Sequence, residues 1–404
     1  MYEIMRCPLE EGIRLAKENC MPETCTEEVS LLTAFGRILA EDVCAPHSQP
    51  PFPRSPLDGY AFRAVDSTGA TKEAPVRLTV VGEVFAGGVC AKTVKEGEAV
   101  RIMTGAPIPD GADCVIRQED TNYGEDIVEV YTALKPYANY CFVGEDYKEG
   151  DCLLTKGTNL TSVEIGILAS LGKETALVYK TPEVHLITTG DELIMPGEAL
   201  RPGKIYDSNL YTIGVRLQEL GIPVTMHTHV MDEPQAVAQA IREASKTAQV
   251  VITTGGVSVG KKDIMHEVLS ILEAKKIFWK MDLKPGTPTL CGKYEDTLLI
   301  GLSGNPFGAI TNLEIFVRPI LAYLGNMPSL EPVVKQGVLE DDFGKPSKVR
   351  RFVRAIYEDG VVSLPKGSHS SGVLSSMRGC NCLIDIPGDS DAVHKGDKVC
   401  VRML

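Results

Sequence analysis

Apolar and polar positions follow three different rhythms along this chain. Between residues 182 and 328, short apolar runs end in Gly- or Thr-rich turns, and longer segments with apolar residues every third or fourth position follow them. "EVHLITTG", "PVTMHTHV", "QVVITTGG" and "DTLLIGLSGNP" read as strands. "SNLYTIGVRLQELG", "EPQAVAQAIREASK", "DIMHEVLSILE" and "FGAITNLEIFVRPILAYL" read as helices. Ser208 stands where an N-cap belongs, Gly221 just past a helix end, and Pro234 in a first turn. This order predicts an open parallel α/β sheet with helices on both faces.

Elsewhere the pattern changes twice. Residues 1–45, with "TEEVSLLTAFGRILA", and residues 147–181, with "NLTSVEIGILASLG", show helical spacing and predict an extended helical framework. Residues 46–146 open on the proline-rich "APHSQPPFPRSPLDGYA" and continue in alternating runs such as "VRLTVVGEVF" and "GEAVRIMTG", an inserted small β domain. Residues 329–404 return to short strands and turns, a C-terminal β-barrel-like domain. The expected fold class is multidomain α/β plus β, with the α/β domain at 182–328.

A length of 404 residues exceeds one compact core and agrees with several domains. The net charge of −13 argues against nucleic acid as a partner. "MYEIMRCPLEEGIRLAKENC" lacks the apolar core of a secretory signal, and no run approaches the roughly 18–20 apolar residues that span a bilayer. The expected location is cytoplasmic, with no membrane partner. Twelve cysteines without a CxxC pair read as free thiols in a reducing compartment. His227 and His229 fit a sheet face or a two-ligand metal site.

Three of the strands end in loops that belong on one sheet edge: "LITTGDEL", "VITTGGVSVGKKD" and "LIGLSGNP". Their backbone N–H groups, hydroxyls and helix N-termini favour anions. Gly255, Gly256, Ser258, Ser303, Asn305 and Pro306 are therefore candidate substrate-binding residues. The same loops carry Asp191, Glu192, Asp207, Asp232 and Asp263, which suit a bridging divalent cation or, for Asp263 before "IMHEVL", a helix cap. Lys280 and Lys284, four apart, are expected on one strand face near that edge, as ligand groups or as a solvated basic face.

"PPFPRSPLDGYA", "IMTGAPIPDGADCVI", "TTGDEL", "IYDSN", "TTGGVSVGKKD", "KPGTP" and "GLSGNP" stand in the order seen in the molybdopterin molybdotransferases, and over its whole length the chain resembles this MoeA family, which includes the gephyrin E domain. The resemblance implies insertion of molybdenum from molybdate into adenylylated molybdopterin, with release of AMP and with Mg²⁺ or another divalent cation. It implies an elongated homodimer with four domains per subunit and a cleft shared between subunits, to which Asp58 and Thr104 come from the opposing β domain. Asp146, Glu192, Asp232 and Asp263 correspond to its functional acids, with Glu192 and Asp263 on the metal. Lys280, Lys284 and Pro285 match its anion site, and Arg350 or Arg354 with Ser371 would complete it. A molybdopterin adenylyltransferase would supply substrate, and molybdoenzymes or their chaperones would accept product. The chain departs from the family pattern at Leu57 (usually Met), Thr287 (usually Lys), Ser303 (usually Pro) and Gly308 (often a hydroxyl). These departures keep open a tungstate-using or otherwise diverged paralogue, and a non-catalytic scaffold or binding protein on the same fold.

Overall fold

Six strands build the central sheet, in the order Val224–Val230, Val184–Thr189, Val250–Thr254, Thr297–Leu302, Leu290–Tyr294 and Lys275–Trp279. They are seen in a computed structural model that describes residues 7–257 and 264–404. The first four strands run parallel, as their apolar runs predict. The 290–294 strand runs against them and pairs antiparallel with both its neighbours, 297–302 and 275–279, a departure from the all-parallel order expected from the sequence. Only Glu295 and Asp296 separate the 290–294 strand from the 297–302 strand, too short a link for a parallel crossover.

Strand residues alternate between two cores. Val184, Leu186, Val250, Ile252, Leu298 and Ile300 pack with Leu210, Ile213 and Leu217 of the Asn209–Glu219 helix and with Phe307 and Leu313. Ile187, Val251 and Leu299 pack on the other face with Val237, Ala238, Val268 and Leu269, from the Pro234–Ala244 and Met265–Leu272 helices. The helical stretch 306–324 is long and apolar enough to cross a membrane, longer than the sequence reading allowed, but it is almost wholly buried inside this fold. Its buried Glu314 pairs with Arg318 at 2.9 Å and Arg216 at 2.5 Å, so this carboxylate is compensated within the protein.

The chain divides into two units. One takes in the chain up to Glu41 with Gly157–Ile165 and Glu174–Leu404; the other is Asp42–Lys156 with Gly166–Lys173. In the first, the stretch read as helical from Thr26 is instead the strand Thr26–Ser30, paired antiparallel with Thr175–Tyr179, followed by the short turn Leu31–Thr33. Leu32 and Phe35, which suggested a helix face, are 94% and 73% exposed. A strand partner distant in sequence outweighed the local spacing. The C-terminal part of the same unit is a barrel: Arg350–Glu358, Val361–Ser363, Val334–Leu339, Lys398–Met403 and Cys382–Ile386 pair in turn, and the last closes on the first. The second unit holds a five-stranded sheet in the order Cys114–Arg117, Gly59–Phe62, Glu98–Ile102, Val76–Val84, Ile127–Val130. Tyr60 and Phe62 enter one of its cores, Ala61 and Val100 the other.

Candidate active site

Beside the 184–189 strand the chain order reverses, since the next two strands lie on opposite sides of it. In doubly wound sheets ligands bind beyond the strand ends at that point. A cavity of about 690 Å³ opens here, lined by Glu192, Asp207, Ser208, Asn209, Gly255, Gly256, Ser303, Asn305 and Pro306 among others. Gly255 has φ +92, and a Cβ there would stand 2.2 Å from the Thr189 carbonyl oxygen, so only glycine lets this loop cross the strand end. Ser303 is buried and its Oγ accepts the Asn305 N–H at 3.2 Å; Asn209 Nδ2 donates to the Gly304 carbonyl at 2.9 Å. The second bond ties the 303–306 loop to the 207–209 turn in one wall.

The acids separate by role. Asp207 is 1% exposed; its Oδ2 accepts the Thr188 hydroxyl at 2.5 Å and its Oδ1 the Leu210 N–H at 3.0 Å. Asp207, and not the preceding-turn residue Ser208, therefore caps the 209–219 helix, since Ser208 makes no side-chain cap bond. Glu192 is exposed on the cavity wall. Asp232 Oδ2 accepts the Asp191 N–H at 3.3 Å, while its Oδ1 is buried with no hydrogen-bond partner among the described residues. A desolvated, uncompensated carboxylate oxygen suits a hard cation, and Mg²⁺ is commonly held by one or two carboxylates with substrate phosphates. Glu192 and Asp232 fit that donor set; no group of three His, Cys, Asp or Glu that could hold a metal occurs among the described residues. Ser258 and Asp263 lie outside the described residues, so the cap and the metal roles expected of Asp263 find no test here.

A second cavity, of about 290 Å³, is basic and aromatic: Lys284, Pro285, Phe307, Phe343, Lys345, Arg351, Phe352, Val353, His369 and Ser371 line it. Arg351 lies over the Phe343 ring at 5.7 Å and donates to the Lys345 carbonyl at 3.2 Å. The two arginines expected here are engaged elsewhere. Arg350 pairs with Asp385 at 2.7 Å and with Glu10 at 2.5 Å. Arg354 is fully buried, 3.6 Å above the Phe307 ring, and donates to the Ser370 carbonyl at 2.7 Å and to the Val373 carbonyl and Ser376 hydroxyl. Arg350 and Arg354 share one side of the pleat and Arg351 takes the other. Phe352, on the side of the first two, also lines the cavity, so it is their partners that hold Arg350 and Arg354 away.

The lysines also part company. The strand ends at Trp279; Lys280 has φ +72 and gives its N–H to Thr289, while Leu283–Lys284 pairs with the barrel residues Arg350 and Arg351. Lys280 and Lys284 therefore share no strand face. Lys284 lines the basic cavity, and Lys280 stands near His266, whose ring stacks on Trp279 at 3.7 Å. Burial, then the charges of Lys276 and Lys280, hold the His266 imidazole below its ordinary pKa. Asn312 locks the intervening loop by donating to the Gly286 carbonyl at 2.8 Å and Thr289 Oγ1 at 2.5 Å.

Comparison with known proteins agrees with this geometry. Residues 7–172 match the MoeA N-terminal region (domain I and II), residues 185–323 the "Probable molybdopterin binding domain", and residues 336–404 the MoeA C-terminal region (domain IV). A molybdopterin molybdenumtransferase of Staphylococcus aureus (strain COL) is 35% identical over 97% of this chain and 94% of its own. One of Bacillus subtilis (strain 168) is 37% identical over 94% and 90%. The crystal structure of a molybdopterin biosynthesis MoeA protein from Pyrococcus horikosii superposes with a TM-score of 0.84 at 30% identity, over 99% of both chains. The chain belongs to the MoeA family.

In this MoeA-family chain the remaining candidates lie in the second unit. Asp58 Oδ1 accepts both the N–H and the hydroxyl of Thr104 at 2.7 Å, bonds that hold its carboxyl below the usual range. Asp146 is exposed, with its N–H on the Gln49 carbonyl at 2.9 Å. Two of the departures from the family pattern are neighbours: a Cβ at Gly308 would sit 3.4 Å from Ser303 Cβ and Oγ. A larger residue at one position thus constrains the other. Arg351, Lys345, His369 and Phe307 were not anticipated as site residues. Only the pleat parity in "VRRFVRA" pointed to Arg351, and nothing in the local sequence pointed to the others.

Proposed function

We propose that this chain is a molybdopterin molybdenumtransferase that inserts molybdenum from molybdate into adenylylated molybdopterin and releases AMP. One observation carries the reading: the basic cavity and the larger cavity are neighbours. Pro306 and Gly372 line the larger one, while Phe307 and Ser371, adjacent in the chain, line the basic one. An oxyanion and a phosphate-bearing pterin can thus be held side by side.

Lys284, Arg351 and Ser371 suit a tetrahedral dianion through charge-assisted hydrogen bonds. Gly255, Gly256, Ser303, Asn305 and Pro306 offer N–H groups, polar side chains and a helix start to the adenylate phosphates. Glu192 and Asp232, with Asp263, would hold a divalent cation, which when bound neutralises phosphate charge and polarises the phosphoanhydride. Asp58 with Thr104, and Asp146, orient reacting groups, and they come from the second subunit of a homodimer. Lys280 adds positive charge at the strand end. The four-part division at 46–146, 182–328 and 329–404 around the framework, a cytoplasmic location, an adenylyltransferase donor and molybdoenzyme acceptors belong to the same reading.

Purified protein incubated with adenylylated molybdopterin, Mg²⁺ and molybdate is expected to release AMP in proportion to molybdate. Release with tungstate alone would point to the tungstate paralogue, and tight pterin binding without AMP under either oxyanion would point to the scaffold. Ultracentrifugation at micromolar concentration checks the dimer, and a monomer would remove it.

A further inference from the structure

The inserted segment begins and ends in a two-stranded ribbon that carries a pair of cysteines with no part in the site. Val43–Cys44 and Cys152–Leu154 pair antiparallel, Val43 opposite Leu154 and Cys44 opposite Cys152, with a bulge between them. A regular ladder would set Cys44 against Leu153; the bulge brings Cys152 opposite instead. Val43 and Leu154 are buried on one side, and Cys44 and Cys152 are both exposed. Directly opposed residues of antiparallel strands have Cα atoms about 4.5–5.5 Å apart, within the span of about 4.4–6.8 Å that a disulfide bridges. Cys152 Sγ donates to the Leu154 carbonyl, at 3.6 Å. Among the described residues no other two of the twelve cysteines, all free, face each other across a strand pair.

We propose that Cys44 and Cys152 are a two-thiol modification site that forms a reversible disulfide by exchange with a low-molecular-weight disulfide. The Cys44 thiolate attacks the S–S bond of the reagent, forming a mixed disulfide and releasing one thiol. The Cys152 thiolate then attacks Cys44 Sγ, forming the intramolecular bond and releasing the second thiol. Two protein thiols lose two electrons, the reagent gains them, and its two thiols carry away the two protons.

The ribbon links this site to Asp146. Ala45 donates to Asp151 at 2.8 Å, Gly150 to Ala45 at 2.9 Å, Gln49 to Tyr147 at 2.8 Å, and Asp146 to Gln49 at 2.9 Å. A covalent staple at Cys44–Cys152 fixes the register of the strand pair whose far end positions Asp146. The effect on turnover rests on the function proposed above; the disulfide itself does not.

The test treats full-length protein with oxidised glutathione at rising ratios to reduced glutathione, then alkylates it and reads intact mass and crosslinked peptides. The expected result is one Cys44–Cys152 crosslink, two hydrogens lighter than the dithiol, reversed by dithiothreitol. C44S and C152S each lose the crosslink and keep a single glutathione adduct on the remaining cysteine. Glutathione adducts on both cysteines that never resolve to a crosslink, or a crosslink to Cys25 instead, overturn the proposal. AMP release is then compared before and after oxidation, with at least a twofold change expected in the native protein and none in C44S. A crosslink with unchanged AMP release overturns the coupling to Asp146. Reduced protein that releases no AMP counts against the function alone, because the mass readout does not depend on it.

Discussion

The larger cavity at the strand ends and the smaller basic cavity beside it are built in opposite ways. The first is made mostly by turns that follow strands, with glycine where backbone must cross backbone at Thr189 and with Gly372 and Leu374 added from a distant loop. The second is gathered from the 284–285 loop, the start of a helix, two stretches of the barrel and the 369–371 loop. The larger cavity depends on backbone shape and tolerates little change in it. The basic cavity depends on which charged side chains are left unpaired by neighbours, so single side chains should govern it.

The largest effect expected from this contrast is on the backbone. Gly255→Ala places a Cβ against the Thr189 carbonyl at a φ that L residues rarely adopt, which costs about 1–3 kcal/mol and abolishes AMP release. A thermal melt and the AMP assay check it, and normal activity would show that the loop has another conformation. Next, Arg351→Ala should raise the half-saturating molybdate concentration about 10- to 100-fold, the loss of one charge-assisted hydrogen bond, with the melting temperature unchanged. Arg354→Ala should do the reverse, because its guanidinium holds the 370–376 turn together. If Arg354→Ala shifts only the molybdate response, the assignment of the two arginines is inverted.

A smaller effect concerns acid stability. Burial by itself would raise the Asp385 carboxyl, but the Arg350 and Arg402 guanidiniums hold it below its ordinary value of 3.8. Its folded-state pKa is depressed, so its contribution is present above about pH 3.8 and is lost as pH falls through the lower folded value. Asp385→Asn should flatten that part of the stability-against-pH curve, and a curve identical to the native one would show that the pair adds nothing. The smallest expected effect is at Thr287, whose hydroxyl donates to the Leu283 carbonyl at 2.5 Å between Pro285 on one cavity and Pro288 on the other. Thr287→Lys should lower the half-saturating molybdate by at most about tenfold. A flat response would place the oxyanion elsewhere.

Legibility followed the same division. The parallel strands, their helices and the Gly255, Ser303 and Asn305 loops were readable because period, turn chemistry and helix starts are local properties of the chain. The antiparallel edge formed by 275–279 and 290–294 was not, and the Thr26–Ser30 strand was mistaken for helix, because both depend on a partner supplied from elsewhere. Lys284, Pro285 and Ser371, which the motif order names, line the basic cavity together with Arg351, while Arg350 and Arg354, which it also names, are paired elsewhere.

By itself the sequence determined the strand-and-helix order of 182–328, the glycines that let backbone pass close to backbone, and the family motifs. The tertiary structure alone decided that Asp207 caps a helix while Asp232 keeps a buried, unpartnered oxygen, that Lys280 and Lys284 point to different places, and that Cys44 meets Cys152 across a bulge. Periodicity and turn chemistry act through neighbours in the chain, so residue order encodes them directly. Burial, pleat side and charge pairing depend on which distant segments arrive, and only the folded chain brings those segments together.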